Sequence, residues 1–153
     1  MEQTFVILKP STIDRSLVGD VITRFQRKGL VIAGIKMMQL TEDKLREHYA
    51  HLVDRPFFPD LLHSMMRTPV IVMVLRGKDA VEVVRAMTGA TNCRKALPGT
   101  IRGDFGMSGQ ENIIHTSDSL ESAEVEINRF FSPNEIFDYT LPLQGSLYAP
   151  DEL

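Results

Sequence analysis

The sequence predicts an α+β fold of the ferredoxin-like type, βαββαβ, in which helices cover a four-stranded antiparallel sheet. Short apolar runs alternate with stretches of helical periodicity. Their order is strand, helix, strand, helices, strand, helix, long loop, strand, helix, which is typical of the split βαβ arrangement. The chain has 153 residues, 43% of them hydrophobic, which is enough for one core. We therefore expect a single domain over residues 1–153.

The first strand, helix and second strand are predicted from the start of the chain. Residues 5–8 form a continuous apolar run that Lys9-Pro10 ends, as is typical of a buried strand. Apolar residues at helical spacing over 17–25 predict a helix that ends at Lys28-Gly29. The apolar run at 30–35 predicts the second strand.

The middle of the chain predicts helices on either side of the third strand. Thr41, followed by two acidic residues, predicts the start of a helix that Pro56 ends. Apolar residues at 61–66 predict a further short helix. The run at 70–75 predicts the third strand, and the spacing over 81–87 predicts the helix after it.

The apolar pattern is lost between residues 88 and 110, where glycines are frequent, so we expect a long glycine-rich loop. Residues 112–115 predict the fourth strand. Asp118 and Glu121 resemble a capping box, and the helix that they begin has an apolar face of Leu120, Ala123, Ile127 and Phe130. The chain from Ser132 to Leu153 is predicted to be an extension that packs on a neighbouring subunit.

Charge and cysteine content narrow the function classes. Lys and Arg total 17 against 20 Asp and Glu, a formal net charge of −3, which disfavours a nucleic-acid partner held by a general positive field. The single cysteine, Cys93, excludes an intramolecular disulfide and a zinc site of several thiolates, and it fits a reducing compartment. No apolar run approaches the roughly 20 residues that span a bilayer. We expect a cytoplasmic protein with no membrane partner.

Several motifs admit a reactive and an ordinary interpretation. The Walker A pattern is absent, and Asp104-Phe105-Gly106 lacks the companion motifs of protein kinases. His48 and His51 could share a metal ion, but without an acidic or thiolate partner two surface histidines are favoured. Cys93 lies beside Arg94 and Lys95, which could lower its pKa, yet no base accompanies it and a bystander thiol is favoured.

The glycine-rich loop and His115 stay open on residue type alone. Arg94 and Arg102 could hold phosphate groups in the loop, or they could belong to an ordinary solvated loop. His115 precedes a helix start, where side chains project into a cleft and backbone N–H groups face anions. Residue type favours a buried structural histidine there, whereas the neighbours over 112–119 favour a reactive one.

Over essentially its whole length the chain resembles a nucleoside diphosphate kinase. The motifs that carry the resemblance occur in family order and at family spacing. They are Ile7-Leu8-Lys9-Pro10, Glu47-His48-Tyr49, Arg55-Pro56-Phe57-Phe58, Gly89-Ala90-Thr91-Asn92, residues 98–105 and residues 112–124. The histidine-centred motif together with the loop motif makes the resemblance highly specific.

The resemblance implies transfer of the terminal phosphoryl group of a nucleoside triphosphate to a nucleoside diphosphate, which maintains nucleoside triphosphate pools. The route is ping-pong, through a phosphohistidine on His115, with Glu126 as the acid that supports the ring. An imidazole has a reference pKa of about 6.5, so much of it is unprotonated near neutral pH. Covalent catalysis lets one site serve donor and acceptor in turn.

The resemblance also implies how the nucleotide is held. Arg85, Thr91 and Arg102 would hold the phosphates, and Tyr49 and Lys9 would approach the transferring group. Lys9 and Asn112 would meet the ribose hydroxyls. Phe57 would stack on the base, which accounts for broad base specificity, and Phe58 would be core. Mg²⁺ would bridge phosphate oxygens without protein side-chain ligands.

Three departures from the family pattern stand out. Ser11-Thr12 replaces an acidic or amide residue followed by a small one, and Cys93 replaces a common proline. Thr116 stands where glycine is usual, and a β-branched residue would be strained if positive φ were needed there.

Two alternatives to the enzyme are a nucleotide-binding protein without turnover and an RNA-binding module. The second would need exposed aromatic residues on the central strands, which offer little beyond Phe5. Family members are homo-oligomers, and the resemblance favours a hexamer over a tetramer. The expected partners are nucleoside di- and triphosphates, with no nucleic acid required.

Overall fold

The computed structural model describes all 153 residues. Its four strands are β1 (Glu2–Leu8), β2 (Val31–Met38), β3 (Val70–Gly77) and β4 (Ile114–Thr116), and they form one sheet in the order β2-β3-β1-β4. All three strand pairings are antiparallel. The predicted fold class is therefore confirmed.

Seven α-helices connect and cover the strands. They are α1 (Pro10–Asp14), α2 (Val18–Lys28), α3 (Glu42–His48), α4 (Phe58–Met66), α5 (Ala80–Thr88), α6 (Ile101–Phe105) and α7 (Leu120–Phe130). Short 3-10 helices span Ala50–Leu52, Pro133–Glu135, Gln144–Ser146 and Pro150–Glu152. No helix combines the length and the apolar character needed to cross a bilayer.

Helices cover both faces of the sheet, which is why the central strands are continuous apolar runs. Val70, Val72 and Val74 of β3 pack in one core with α3, α4 and α7, and Met73 and Leu75 pack in the other with α2 and α5. Successive side chains of a strand point to opposite faces, so both sets must be apolar. Phe5, the aromatic residue of β1, is fully buried. This burial speaks against RNA stacking on the sheet.

Two helices were missing from the sequence interpretation. The first strand ends before Lys9-Pro10 as predicted, and helix α1 begins directly at Pro10, with proline in its first turn. Helix α6 lies inside the expected glycine-rich loop, and the Thr100 side chain caps it by accepting from the backbone N–H of Gly103. Both helices have five residues, which is too short for helical periodicity to be visible.

Several predicted boundaries need correction. The helix expected from Thr41 to Pro56 ends at His48, and a 3-10 turn follows it. Helix α7 is capped by the hydroxyl of Ser119, which accepts from the N–H of Ser122, and not by Asp118. Leu120 was expected on the apolar face, but its position in the first turn leaves it 57% exposed.

The fourth strand begins after Ile113 because the backbone of that residue cannot belong to a strand. Ile113 has a φ of +75°, which is costly for a β-branched side chain. The residues that depart from the family pattern hold it in place. The Oγ of Ser11 accepts from the Ile113 N–H at 3.1 Å, and the Oγ1 of Thr12 donates to its carbonyl at 2.5 Å.

The C-terminal extension packs on the sheet of its own chain, which the sequence interpretation did not expect. The N–H of Phe137 donates to the carbonyl of Ala33, and the hydroxyl of Tyr139 donates to that of Ile32. Arg76 of β3 also donates to the carbonyl of Phe137. The Phe137 side chain remains exposed, so packing on a neighbouring subunit stays a prediction.

Candidate active site

A cleft of about 510 Å³ opens beside the end of β1 and the short strand β4. It brings together eight of the nine residues that the sequence singled out, from seven different parts of the chain. These are Lys9, Tyr49, Arg85, Thr91, Arg102, Asn112, His115 and Glu126. Phe57 does not line this cleft; it lies at the start of α4 and is 45% exposed, whereas Phe58 is buried in the core as expected.

His115 lies in the middle of β4, opposite Ile7 of β1, and 23% of its side chain is exposed. Its Nε2 contacts the Oε2 of Glu126, which projects from α7. A carboxylate can only accept, so Nε2 carries the proton and the Nδ1 lone pair is left free. His115 is therefore not a fully buried histidine, and its role as a reactive residue stays a prediction. The arrangement suits a nucleophilic nitrogen.

His48 is part of the same cluster, and its prediction as a surface histidine is wrong. Only 2% of its side chain is exposed, and its ring lies 4.7 Å from that of His115. It lies on the buried side of α3 because that helix packs on the first core, while His51 is exposed. The Nη1 of Arg129 lies 2.9 Å from His48 Nδ1. Burial lowers the pKa of His48 to about 2, so the ring stays neutral.

The distances among three side chains raise the question of a bound metal ion. Potential ligand atoms of His48, His115 and Glu126 lie within 4.8 Å of one another. Two histidines and a carboxylate are residue types that bind zinc in proteins. Arginine always donates, however, so its bond to Nδ1 leaves the proton of His48 on Nε2, which faces the cluster. A metal ion on Nε2 would have to move that proton to Nδ1, where it would displace the donor of Arg129.

Lys9 and Asn112 join the end of β1 to the loop. The Nζ of Lys9 donates to Asn112 Oδ1 at 2.7 Å, and Asn112 Nδ2 donates to the carbonyls of Thr91 and Gly109 at 3.1 and 3.0 Å. Burial, with a smaller effect of nearby Arg102, lowers the pKa of Lys9 to about 8. The cleft thus contains an ammonium group that is charged at neutral pH and gives up its proton as the pH rises through about 8.

Arg102 organises the backbone around the cleft. Its guanidinium donates to the carbonyls of Asn112, Gly89 and Ile114 at 3.1, 3.1 and 2.6 Å. Two of its five N–H groups therefore remain for a ligand. Burial lowers the pKa of Arg102 from its usual value. The sequence indicated the charge of this residue but gave no sign of its structural bonds.

The charges in the cleft suit an anionic ligand. Arg85 on α5 and Arg129 on α7 add two guanidinium groups to the ammonium group of Lys9 and the guanidinium group of Arg102. Burial raises the pKa of the Tyr49 phenol, which therefore stays protonated and can donate a hydrogen bond. Several donors around one imidazole with a free lone pair are an arrangement that suits phosphoryl transfer.

Two departures from the family pattern have simple structural outcomes. Thr116 lies in β4 opposite Val6 and does not have positive φ, so the concern about strain at this position does not apply. Cys93 is buried, and burial raises the pKa of its thiol despite the opposing charges of Arg102 and Lys9. Both features are compatible with a bystander thiol, which stays a prediction.

Comparisons with known proteins agree with the geometry. The sequence model of the family "Nucleoside diphosphate kinase" matches residues 2–136. The chain is 57% identical to a nucleoside diphosphate kinase of Parabacteroides distasonis over 99% of both chains. It is 49% identical to human nucleoside diphosphate kinase A, over 96% of this chain and 97% of the human one.

The fold has close relatives among solved structures as well. A halophilic nucleoside diphosphate kinase from Halobacterium salinarum, solved in complex with CDP, superposes with a TM-score of 0.93. It is 42% identical, and the match covers 96% of this chain and 98% of that one. The enzyme of Encephalitozoon cuniculi superposes with a TM-score of 0.92 at 40% identity.

Proposed function

Because the chain belongs to the nucleoside diphosphate kinase family, we propose that it transfers the terminal phosphoryl group of a nucleoside triphosphate to a nucleoside diphosphate through His115. The reaction is ping-pong, as is general for this family. The observation that carries the assignment is the contact of His115 Nε2 with Glu126 inside a cleft lined by Lys9, Arg85 and Arg102.

In the first half-reaction the Nδ1 lone pair of His115 attacks the terminal phosphorus. A nitrogen–phosphorus bond forms while the bond to the bridging oxygen breaks, and the nucleoside diphosphate leaves with that electron pair. The ring keeps its Nε2 proton, and Glu126 stabilises the positive charge that develops on the imidazole. In the second half-reaction, the terminal oxygen of another nucleoside diphosphate attacks the same phosphorus and releases the ring.

The cations of the cleft hold the nucleotide. Arg85 and the two free N–H groups of Arg102 bind phosphate oxygens, with Thr91 beside them. Lys9 and the Tyr49 hydroxyl approach the transferring group, and Lys9 and Asn112 also meet the ribose hydroxyls. Positioning and charge stabilisation of this kind supply most of the catalysis of phosphoryl transfer.

Phe57 stacks on the nucleotide base. Its exposure of 45% leaves a ring face open to a ligand, and an aromatic face does not distinguish one base from another. This gives broad base specificity. Since Phe57 does not line the cleft around His115, the base would lie away from the reacting phosphate.

Mg²⁺ accompanies the nucleotide. The side chains around the cleft do not form a cage of carboxylates: apart from Glu126, which contacts His115, only Asp118 and Glu121 are acidic. This donor set fits an ion that the phosphate oxygens hold. When bound, Mg²⁺ neutralises part of the phosphate charge.

We also propose that residues 1–153 act as one cytoplasmic domain that assembles into a homo-oligomer, a hexamer rather than a tetramer. The family match ends at residue 136, and the extension beyond it leaves apolar side chains such as Phe137 and Leu143 exposed. Light scattering at several protein concentrations tests the assembly.

The phosphohistidine is tested directly. Incubation with γ-labelled ATP is expected to place label on His115 that is stable to alkali, labile to acid and removed by any nucleoside diphosphate. His115→Ala is expected to take up no label, whereas His63→Ala, at an exposed histidine, serves as the matched control. Full labelling of His115→Ala would contradict the proposal.

A further inference from the structure

We propose that His48 is a positioning residue for this reaction, whose Nε2–H group serves as a second hydrogen-bond donor to the Glu126 carboxylate. The inference rests on the proposed role of His115 and concerns how Glu126 is kept in place during transfer. It is carried by a buried polar atom without a partner, located beside the two residues that the mechanism uses.

The Nε2 atom of His48 is buried and makes no hydrogen bond. Such atoms are uncommon in proteins because an unmet donor costs free energy. Glu126 Oε2 lies 3.9 Å from this atom, which is about 1 Å longer than a hydrogen bond. A small movement of the carboxylate therefore brings it within reach of this donor.

Arg129 fixes which nitrogen of His48 carries the proton. Its guanidinium donates to Nδ1 at 2.9 Å, and since arginine has no acceptor, Nδ1 must present its lone pair. The proton is therefore on Nε2, on the side of Glu126. The negative charge of Glu47, 3.4 Å from Arg129 Nε, helps to hold the guanidinium.

Aromatic neighbours fix the plane of the His48 ring. It meets the rings of Tyr49, His115 and Phe130 edge to face, with centroid distances of 4.6, 4.7 and 5.3 Å. Edge-to-face packing of this kind leaves little freedom to rotate. The direction of the Nε2–H bond is therefore set before a nucleotide arrives.

A second donor matters because the charge of the ring that Glu126 contacts changes during the reaction. Phosphorylation of Nδ1 makes the imidazole of His115 more positive, and Glu126 must remain ionised and close to its Nε2–H. A donor from His48 stabilises the carboxylate as the anion and limits its rotation. His48 keeps its proton throughout, so no proton transfer is involved.

Two variants separate the donor from the ring. His48→Phe retains an aromatic ring of similar shape and loses the N–H, whereas His48→Gln retains an N–H donor at nearly the same reach. Phosphohistidine formation is expected to be about tenfold slower in His48→Phe, with the nucleotide KM within a factor of two of the wild-type value. In His48→Gln the rate should recover to within about threefold of wild type.

Wild-type rates in His48→Phe, or equal losses in both variants with unchanged melting temperatures, would overturn the inference. Nitrogen-15 NMR of the unmodified protein provides a second test that needs no variant. His48 is expected as the Nε2–H tautomer, and the chemical shift of its Nε2 proton should change when His115 is phosphorylated. An Nδ1–H tautomer of His48, or an unchanged chemical shift of the Nε2 proton, would contradict the inference.

Failure of this inference can be told apart from failure of the proposed function. If His115→Asn takes no label while His48→Phe is labelled at the wild-type rate, only the role of His48 is lost. If His115→Asn is still labelled at another site, the assignment of the nucleophile itself is wrong.

Discussion

Lys9 Nζ donates a hydrogen bond of 2.7 Å to Asn112 Oδ1, across 103 positions of the sequence. The bond connects the residue that follows β1 to the residue three positions before His115. It also places an ammonium group in the cleft, and that group loses its proton at mildly alkaline pH because burial lowers its pKa to about 8.

The first prediction concerns the pH dependence that follows from Lys9. A lowered pKa means that the charge is present below about pH 8 and is lost as the pH rises through that value. Binding of nucleotide phosphates uses the charge, so kcat/KM for a nucleoside diphosphate should be about tenfold lower at pH 9 than at pH 7. Lys9→Gln should have a lower kcat/KM and lack this decline. A persistent decline in that variant would assign it to another group.

The second prediction concerns Glu126. Glu126→Ala removes the acceptor of His115 Nε2–H, so the ring loses its orientation and its preferred tautomer. A hydrogen bond to a charged group is worth about 1.5–3 kcal/mol, which corresponds to a roughly 10- to 100-fold slower labelling of His115. Glu126→Gln retains an acceptor and should lose less. The exposed Glu124 of the same helix gives the control variant Glu124→Ala, which should label normally.

The third prediction separates the two roles of Arg102. Arg102→Lys keeps a positive charge but leaves at least two of the three backbone carbonyls without their donor. Because unsatisfied buried acceptors cost about 1–3 kcal/mol each, the free energy of unfolding in urea should fall by roughly 2 kcal/mol or more. Arg94→Lys, at an exposed arginine bonded to one carbonyl, should unfold like the wild type. Unchanged stability of Arg102→Lys would contradict its structural role.

The fourth prediction tests how the strained Ile113 is held. Thr12→Val preserves shape and removes the hydroxyl that donates to the Ile113 carbonyl at 2.5 Å. We expect a loss of about 1–3 kcal/mol in the free energy of unfolding, with slower labelling of His115 because Asn112 lies next to the strained residue. Thr68→Val removes a hydroxyl at the surface and serves as the control. If both variants have the same free energy of unfolding, the hydrogen bond from Thr12 to the Ile113 carbonyl contributes little to stability.

The fifth prediction addresses the residue after His115. Thr116 lies in β4 without positive φ, so glycine gives it no useful freedom; it increases the entropy of the unfolded chain and removes a buried side chain. Thr116→Gly should lower the free energy of unfolding by at least about 0.5–1 kcal/mol and change the exchange rate by less than twofold. A large gain in rate would show that Thr116 restrains the site after all.

The fold could be predicted from local patterns because the central strands and long helices carry clear periodicity. Residues 5–8 and 70–75 are buried on both faces, so each forms a continuous apolar run that is easily recognised as a strand. Helices α1 and α6 were not predicted because five residues complete little more than one turn, which is too short to show helical periodicity. The cap of α7 was assigned to Asp118 because Asp118 and Ser119 both suit that position, and only the backbone geometry decides between them.

The candidate site was predicted less evenly than the fold. Eight of the nine residues named from the sequence line one cleft, because motifs mark the residue types that phosphoryl transfer uses. His48 was misjudged as a surface residue, since exposure depends on what packs against α3 and not on the spacing of two histidines. Arg102 was recognised as a cation, but its bonds to the backbone were not foreseen.

The sequence by itself determined the order of strands and helices and the kinds of chemical group that the chain brings to its site. Both follow from interactions between residues close in the sequence and from residue type, and these can be read from the sequence alone. The tertiary structure decided which nitrogen of His115 is free, which tautomer His48 adopts and how the strained Ile113 is held. Those outcomes depend on partners 11, 81 and about 100 positions away, and only packing brings such partners within hydrogen-bond distance.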